Sequence, residues 1–347
     1  MFFEKFKFKI KEEGAIGLDI GTSSIKAVAL EVKDKEVFLK NFSFKEISDG
    51  SIGPANLAPL IKKSIDALGV SEGRVNISLS GQPVIIRYAW LPLMSQKELA
   101  SSLRFEAAKL IPFSVEEVNI DSYILKQDIS NNKMLVMVVA AKKEAVSERI
   151  KLVQDSGFKI KAIDVDSLAL INAFNFNYHS EDEKDLPKVI ALLNIGAAVS
   201  NLSILEAGVP VFSRDIYIAG NNFSKKIADS LSIDLKAAED LKINPDKEKL
   251  EKVSAAIELI LSSLASEVRT SFDYYESQSS SSVEKIFLSG GGSLFLNLKD
   301  SLNRLLGIGI DYWDPTKRIT FLAGQDSSQQ IKSYLRHFPV ALGLAMR

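Results

Sequence analysis

The segment that decides the fold reads Gly17-Leu18-Asp19-Ile20-Gly21-Thr22-Ser23-Ser24-Ile25-Lys26. Apolar residues lead into Asp19, a polar turn follows Gly21, and an apolar stretch resumes after Lys26. This pattern predicts a β-hairpin, because a tight turn opened by glycine joins two apolar strands. Backbone N–H groups, hydroxyls and a fixed cation in such a turn suit a polyphosphate. The segment is therefore a candidate phosphate site, and a plain hairpin with a polar turn is the alternative.

The same pattern recurs about half a chain later. The second copy is Ala191-Leu192-Leu193-Asn194-Ile195-Gly196, followed by a small-residue turn and Leu202-Ser203-Ile204-Leu205-Glu206. Overlaying the copies sets Asp19 against Asn194 and Gly21 against Gly196. Two such hairpins predict two related lobes that face a shared cleft.

Composition excludes several classes of function. A chain of 347 residues predicts more than one packed unit, and its net charge of -1 gives no global attraction to nucleic acid. The absence of cysteine excludes disulfides and thiolate metal sites, and the two histidines, His179 and His337, have no metal-binding spacing. No apolar run reaches the roughly 20 residues that span a bilayer. We therefore expect a cytoplasmic protein. The alternating Phe/Lys stretch 6–11 is expected to form an edge strand or an ordered tail, and contact with a membrane surface or a partner is the alternative.

A compact insert is expected between the two hairpins. Residues 75–162 predict strands at 75–79, 120–127, 134–141 and 160–165, with helices at 96–110 and 143–156. A helix at 55–68 precedes this insert, and a charged connector at 182–188 follows it. Helices are expected again at 222–231, 235–243 and 247–277.

Two further groups of residues are candidate ligand contacts. Gly290, Gly291 and Gly292 follow an apolar strand and precede a helix, so they mark either the approach of a ligand or a tight strand-to-helix turn. Glu239 and Lys242 share one face of a predicted helix. On their own they predict an exposed salt bridge, and hydrogen bonds to a ribose are the alternative.

Taken in order, these elements resemble the actin-like ATPase superfamily, which includes actin, sugar kinases, heat-shock chaperone ATPases and the cell-division protein FtsA. The resemblance implies an α/β, actin-like (ribonuclease H-like) two-lobe fold with a small α+β insert subdomain in the first lobe. It also implies ATP or ADP with Mg²⁺, which Asp19 would hold through water. The phosphate-binding residues that it implies are Asp19, Gly21, Thr22, Ser23, Ser24, Lys26, Asn194 and Gly196. The ribose- and adenine-binding residues that it implies are Glu239, Lys242, Gly290, Gly291 and Gly292.

The resemblance also predicts a domain division. The first lobe core is expected at 1–74, 163–187 and 336–347, with a partner-binding α+β insert at 75–162. The second lobe core is expected at 188–218 and 283–335, with a helical subdomain that covers the nucleotide at 219–282.

Several segments narrow the resemblance to PilM, a family of FtsA-like proteins of type IV pilus assembly. They are 104–113, 121–125, 164–170, 273–275 and 340–347. The resemblance implies a cytoplasmic scaffold, peripheral at the inner membrane, that reaches the membrane only through partners. A groove between the first lobe and the insert would grip the N-terminal tail of a PilN-like inner-membrane protein. Nucleic acid is not an expected partner, and self-association into a ring or filament stays open.

One departure from the superfamily pattern limits the expected chemistry. Asn194 stands where relatives usually carry Asp, and an amide cannot manage a metal or a proton as a carboxylate does. We therefore expect nucleotide binding with at most slow hydrolysis. An FtsA-like filament protein is the first alternative, but the apolar segment 339–347 is unlike the basic membrane helix of FtsA. A sugar-kinase phosphotransferase is the second alternative, and Asn194 disfavours it.

Overall fold

Two large sheets and one small sheet form the framework of the protein. The computed structural model describes residues 15–34, 36–47, 53–70, 73–178, 186–245, 248–295, 297–322, 331, 332 and 334–347. The Phe/Lys stretch 6–11, His179 and residues 182–185 of the expected connector lie outside the described residues. The strands are β1 (Ala15–Ile20), β2 (Ser24–Lys33), β3 (Glu36–Glu46), β4 (Arg74–Leu79), β5 (Val84–Pro92), β6 (Val118–Asp128), β7 (Lys133–Lys142), β8 (Lys159–Val165), β9 (Val189–Ile195), β10 (Ser200–Glu206), β11 (Val209–Ile216), β12 (Lys285–Ser289), β13 (Gly309–Tyr312) and β14 (Ile319–Phe321). The helices are α1 (Pro54–Asp66), α2 (Gln96–Leu110), α3 (Lys143–Asp155), α4 (Asp166–Tyr178), α5 (Gly220–Leu231), α6 (Leu235–Ile243), α7 (Leu250–Gln278), α8 (Leu298–Leu306) and α9 (Pro339–Ala345).

The two large sheets repeat one topology. The first has the order β14-β3-β2-β1-β4-β8 and the second the order β11-β10-β9-β12-β13. From β3 to β8, and from β11 to β13, each sheet has two antiparallel pairings and then two parallel ones. Asp19 lies opposite Lys26 in the first hairpin, and Asn194 lies opposite Asn201 in the second. The predicted pair of related hairpins is confirmed.

Helices α4 and α9 pack between the two large sheets. A Cβ on Gly343 of α9 would lie 1.7 Å from the Ala169 carbonyl oxygen of α4, and one on Gly17 of β1 would lie 2.0 Å from the Ala341 oxygen. Glycine is therefore required where the backbones approach this closely. Phe174 joins this core as a fully buried side chain, and such burial typically stabilises the fold by about 1.5–3 kcal/mol.

The insert carries the third sheet, of order β5-β7-β6. Helix α2 covers one face of it and begins with a capping box, in which Ser95 Oγ accepts from the Glu98 N–H and Glu98 Oε2 accepts from the Ser95 N–H. The sequence did not indicate β5. The strands expected at 75–79 and 160–165 do form, but β4 pairs with β1 and β8 pairs with β4, so both belong to the first large sheet. The small sheet spans 84–142, and the domain division stays a prediction.

Helices α5, α6 and α7 pack against the second sheet. Phe223, Ile257 and Phe272 are fully buried in the core that they share with it. Helix α6 has the predicted bounds, and Asp234 caps it by accepting a hydrogen bond from the Ala237 N–H at 2.8 Å. Within the described ranges, none of the helices combines the length and the apolar character needed to cross a membrane.

Candidate functional site

The first hairpin brings its predicted charged residues together. Lys26 Nζ lies 3.0 Å from Asp19 Oδ2, and the two side chains are 12% and 11% exposed. The Gly21 N–H donates to the Ser24 carbonyl at 3.1 Å and closes the turn. A Cβ on Gly21 would lie 3.0 Å from both Lys26 Nζ and the Ser24 oxygen. Glycine at this position therefore leaves room for the ion pair.

The three hydroxyl residues of the turn differ in exposure. Thr22 and Ser23 are exposed at its tip, whereas Ser24 is buried. The Ile47 N–H donates to the Ser23 carbonyl at 2.9 Å and fixes the tip against the end of β3. An anion at this turn would therefore meet Thr22 and Ser23 before Ser24.

The second hairpin has the same backbone closure and a different chemistry. The Gly196 N–H donates to the Val199 carbonyl at 3.0 Å. Asn194 Nδ2 donates to Asn201 Oδ1 at 3.2 Å, and Ser289 Oγ donates to Asn194 Oδ1 at 3.1 Å. Asn194 and Asn201 thus occupy the positions of Asp19 and Lys26 in the first hairpin, without either charge.

Hydrogen bonds continue from the second hairpin to the first lobe. Asn201 Nδ2 donates to Asp215 Oδ1 at 2.7 Å, and the Gly81 N–H donates to Asp215 Oδ2 at 2.7 Å. Burial raises the pKa of Asp215, while these two hydrogen bonds act in the opposite direction. Asp215 of β11 therefore ties the second lobe to the loop that follows β4.

The glycine triplet packs directly on the second hairpin. Gly290 has φ +89°, and a Cβ there would lie 2.2 Å from the Ile195 carbonyl oxygen. A Cβ on Gly292 would lie 2.6 Å from Ile195 Cγ2, and one on Gly291 would lie 2.8 Å from the His337 ring. Backbone atoms of Ile195 and Gly196 thus give the protein itself a reason for glycine at Gly290 and Gly292, whereas only a side chain opposes a Cβ at Gly291. A role for them in holding adenosine stays a prediction.

Glu239 and Lys242 form an ion pair beside the second hairpin. Lys242 Nζ lies 2.6 Å from Glu239 Oε2 and also donates to Ser224 Oγ at 3.0 Å and to the Gly220 carbonyl at 3.4 Å. Lys242 is buried, which lowers its pKa, whereas the Glu239 side chain is 46% exposed. The Gly220 N–H donates to the Gly196 carbonyl at 2.9 Å. Glu239 is therefore the member of the pair that a ligand can reach.

Two charged residues beside the first hairpin were not predicted from the sequence. Asp166 begins α4 at the carboxyl end of β8; burial, and then Asp19, raise the pKa of its carboxyl to about 6. Arg149 of α3 donates from Nη1 to the Ile20 carbonyl at 3.1 Å, and Asp166 and Asp19 attract its charge. Ligands of open α/β sheets bind outside the carboxyl ends of the strands. The position of Asp166 directly after a strand was the signal that could have identified it.

The charged group beside the hairpin consists of two carboxylates and two cations, namely Asp19, Asp166, Lys26 and Arg149. Among the described residues, no three Asp, Glu or His side chains are arranged to bind a metal ion. Asp19 fits a divalent cation that keeps most of its own water, which is how Mg²⁺ commonly binds. The cations fit phosphate oxygens.

A groove of about 520 Å³ separates the insert from the first lobe. Its apolar wall includes Met137 and Val139 of β7 and Leu168 of α4, and Asp121 and Arg347 also line it. A second cavity of about 360 Å³ lies between the insert and β11, where Asp166 and Asp215 are among its lining residues. The predicted groove between the first lobe and the insert is therefore present.

Known proteins share the fold along nearly the whole chain. A solved structure described as the PilM-PilN type IV pilus biogenesis complex is 29% identical, covers 97% of this chain and 99% of its own, and superposes with a TM-score of 0.85. The ethanolamine utilization protein EutJ from Carboxydothermus hydrogenoformans is 11% identical over 97% of this chain and 90% of its own, with a TM-score of 0.55. MreB5 of Spiroplasma citri, bound to AMPPNP, is 13% identical over 96% of this chain and 95% of its own, with a TM-score of 0.51.

The last two likenesses show the fold alone, and that fold is the predicted actin-like one. The family described as type IV pilus assembly protein PilM matches residues 17–347. That match covers both hairpins, the insert and the glycine triplet. The chain therefore belongs to the PilM family of type IV pilus assembly proteins.

Proposed function

We propose that this chain is a nucleotide-binding scaffold of type IV pilus assembly that binds the N-terminal tail of a PilN-like inner-membrane protein. The observation that carries this proposal is the likeness, at 29% identity and over 97% of the chain, to a protein solved as a PilM-PilN complex. The scaffold would lie in the cytoplasm and reach the inner membrane through that tail.

The groove supports the tail-binding role. One wall is the face of the insert sheet that α2 leaves uncovered, and Val139 and Met137 make it apolar. Residues 119–123 of β6 line the groove, and β6 lies at the edge of its sheet. Extended peptides commonly bind such edges through main-chain hydrogen bonds while pockets select their side chains. An extended tail with alternating apolar side chains fits this surface.

The test is a titration of the protein into a fluorescently labelled peptide with the N-terminal sequence of a PilN-like protein. We expect saturable binding, and Val139→Asp should weaken it at least tenfold because it places a charge in the apolar wall. Ile129→Asp is the matched control, since Ile129 is 72% exposed in the insert and does not line the groove. Equal effects of the two substitutions, or no saturable binding by the unmodified protein, would contradict this role.

We further propose that ATP or ADP binds between the two hairpins. Lys26 and the exposed tip of the first turn would contact phosphates, Asn194 and Gly196 would bound the opposite side, and Glu239 would reach a ribose. When bound, Mg²⁺ would neutralise phosphate charge, and Asp19 would hold it through water. The turn formed by Gly290, Gly291 and Gly292 would complete the nucleoside side of the site, and Lys242 would hold Glu239 in place through their ion pair.

Hydrolysis is expected to be slow at most. Asn194 is neutral and is hydrogen-bonded to Asn201 and Ser289, so it supplies no base. Asp166 is an acidic side chain whose charge interacts with that of Asp19, and it would have to supply the base in place of Asn194. A phosphate-release assay checks this expectation, and brisk turnover would contradict it.

A further inference from the structure

Helix α3 touches both the groove and the first hairpin. Val146 lines the groove. Arg149, three residues later and so on the same helix face, reaches the end of β1 and donates to the Ile20 carbonyl at 3.1 Å. The helix begins at Lys143, directly after β7 ends at Lys142, and β7 supplies Met137, Val139 and Ala141 to the groove wall. One helical turn therefore connects the two candidate sites.

Arg149 has unused hydrogen-bond donors beside the turn of the first hairpin, residues 21–24. A guanidinium carries five N–H donors in a planar fork. Within the part of the chain that the structure describes, Arg149 uses one hydrogen bond, to Ile20, and forms no salt bridge. Its charge nevertheless interacts with Asp166 and Asp19, which lie at the carboxyl ends of β8 and β1. The guanidinium is thus held at the ligand edge of the sheet without a direct acidic partner.

We propose that Arg149 binds the terminal phosphate of the bound nucleotide and that α3 thereby couples the nucleotide to the groove. This inference rests on the proposed function, because it needs both a nucleotide and a tail. Arginine suits the role, since its fork can bind two phosphate oxygens at once. A small displacement of α3 toward a phosphate also displaces Val146 in the groove wall. The competing explanation is that Arg149 only balances the charges of Asp166 and Asp19.

The coupling between nucleotide binding and tail binding must be reciprocal. If ATP changes the affinity for the tail, the tail must change the affinity for ATP by the same factor. The factor should differ between ATP and ADP, because ADP lacks the terminal phosphate. In the unmodified protein we expect tail affinities with MgATP and MgADP to differ by about fivefold or more.

The experiment measures the affinity of the full chain for the labelled tail peptide, and for a fluorescent ATP or ADP analogue, with each ligand alone and with both present. Arg149→Met should weaken ATP binding by about tenfold or more, as expected for a lost hydrogen bond to a charged group. It should weaken ADP binding much less and remove the difference between the two nucleotides in tail binding. Arg149→Lys keeps the charge without the fork and should fall between. Lys151→Met is the control, since Lys151 is exposed on the same helix.

Each outcome decides the inference. If Arg149→Met leaves both the preference for ATP over ADP and the effect of nucleotide on tail affinity unchanged, the role of Arg149 is overturned and the proposed function stands. Equal weakening of ATP, ADP and the tail would assign Arg149 a purely structural role and would also overturn it. Failure of the unmodified protein to bind nucleotide would overturn both this inference and the nucleotide part of the proposed function, whereas tail binding is scored independently.

Discussion

Replacing Asp166 with asparagine removes a carboxyl group that folding places in an unfavourable environment. Burial first, and the nearby Asp19 second, raise its pKa from 3.8 to about 6. Hydrogen bonds from Ser78 and Ser80 act in the opposite direction, and an asparagine side chain can keep such bonds. The substitution therefore tests the charge while it preserves the shape.

The sign of the effect follows from the direction of the change in pKa. Between about pH 4 and pH 6 the folded protein holds a proton on Asp166 that the unfolded chain has released, so stability falls as pH rises through this window. A rise of about two pH units corresponds to roughly 3 kcal/mol, at about 1.36 kcal/mol per unit. Relative to the unmodified protein, Asp166→Asn should therefore gain about 3 kcal/mol of unfolding free energy between pH 4 and pH 8.

The assay is urea unfolding at several pH values, followed by tryptophan fluorescence and by circular dichroism. Asp155→Asn serves as the control, because Asp155 is exposed at the end of α3. The control should keep the same difference from the unmodified protein at every pH. A difference between Asp166→Asn and the unmodified protein that stays constant, or shrinks as pH rises, would contradict a raised pKa for this partly buried carboxyl.

Three further outcomes are expected. Burial first, and Lys26 second, lower the pKa of His337 to about 4, so the free energy of unfolding should fall from pH 6.5 toward pH 4. In urea unfolding at pH 4, His337→Gln should recover up to about 3 kcal/mol of this loss. An equal loss of stability between pH 6.5 and pH 4 in the variant and the unmodified protein would count against this expectation. Gly343→Ala should lower the stability measured by thermal unfolding by about 3 kcal/mol or more, because its Cβ would lie 1.7 Å from the Ala169 carbonyl oxygen. Gly53→Ala is the control, since a Cβ there meets nothing within 4 Å. Similar losses of stability in the two variants would contradict the close approach of the backbones at Gly343. Lys26→Ala should abolish binding of fluorescent ATP, and unchanged affinity would remove the phosphate site from the first hairpin.

Local patterns are enough to predict the two hairpins and most helices. A hairpin is determined within a dozen residues by an apolar strand, a glycine and a second apolar strand. The correspondence of Asp19 and Asn194 can therefore be predicted from the sequence. Helix α6 shows the same point, since apolar spacing predicts both of its ends. The repeat thus predicts the matching hairpins β1–β2 and β9–β10, but not the order of the remaining strands.

Long-range pairing could not be predicted in the same way. Strands β4 and β8 lie on either side of the insert in sequence, and nothing local tells that both join β1 in one sheet. Strand β5 was missed, although it pairs with β7 along its whole length. Its exposed Trp90 and its Arg87 weaken the apolar pattern by which a buried strand is recognised.

The least predictable part of the site is its charge network. Arg149, Asp166 and Asp215 come from α3, α4 and β11, and each is unremarkable in its own segment. Only the fold brings the first two beside Asp19 and links the third to Gly81. Sequence patterns predict the turn of the first hairpin as a candidate phosphate site, whereas the groups around it depend on tertiary packing.

Hydrogen–deuterium exchange with and without each ligand shows whether one chain holds a tail in its groove and a nucleotide between its two hairpins. Addition of the PilN-like tail peptide should protect amides at 119–123 and 137–141 around the groove. Addition of MgATP should protect 20–26 and 194–201 in the two hairpins. Failure of the tail peptide to protect the groove segments, or of MgATP to protect the hairpin segments, would contradict that claim, whereas protection of the connecting helix α3 by both ligands would not.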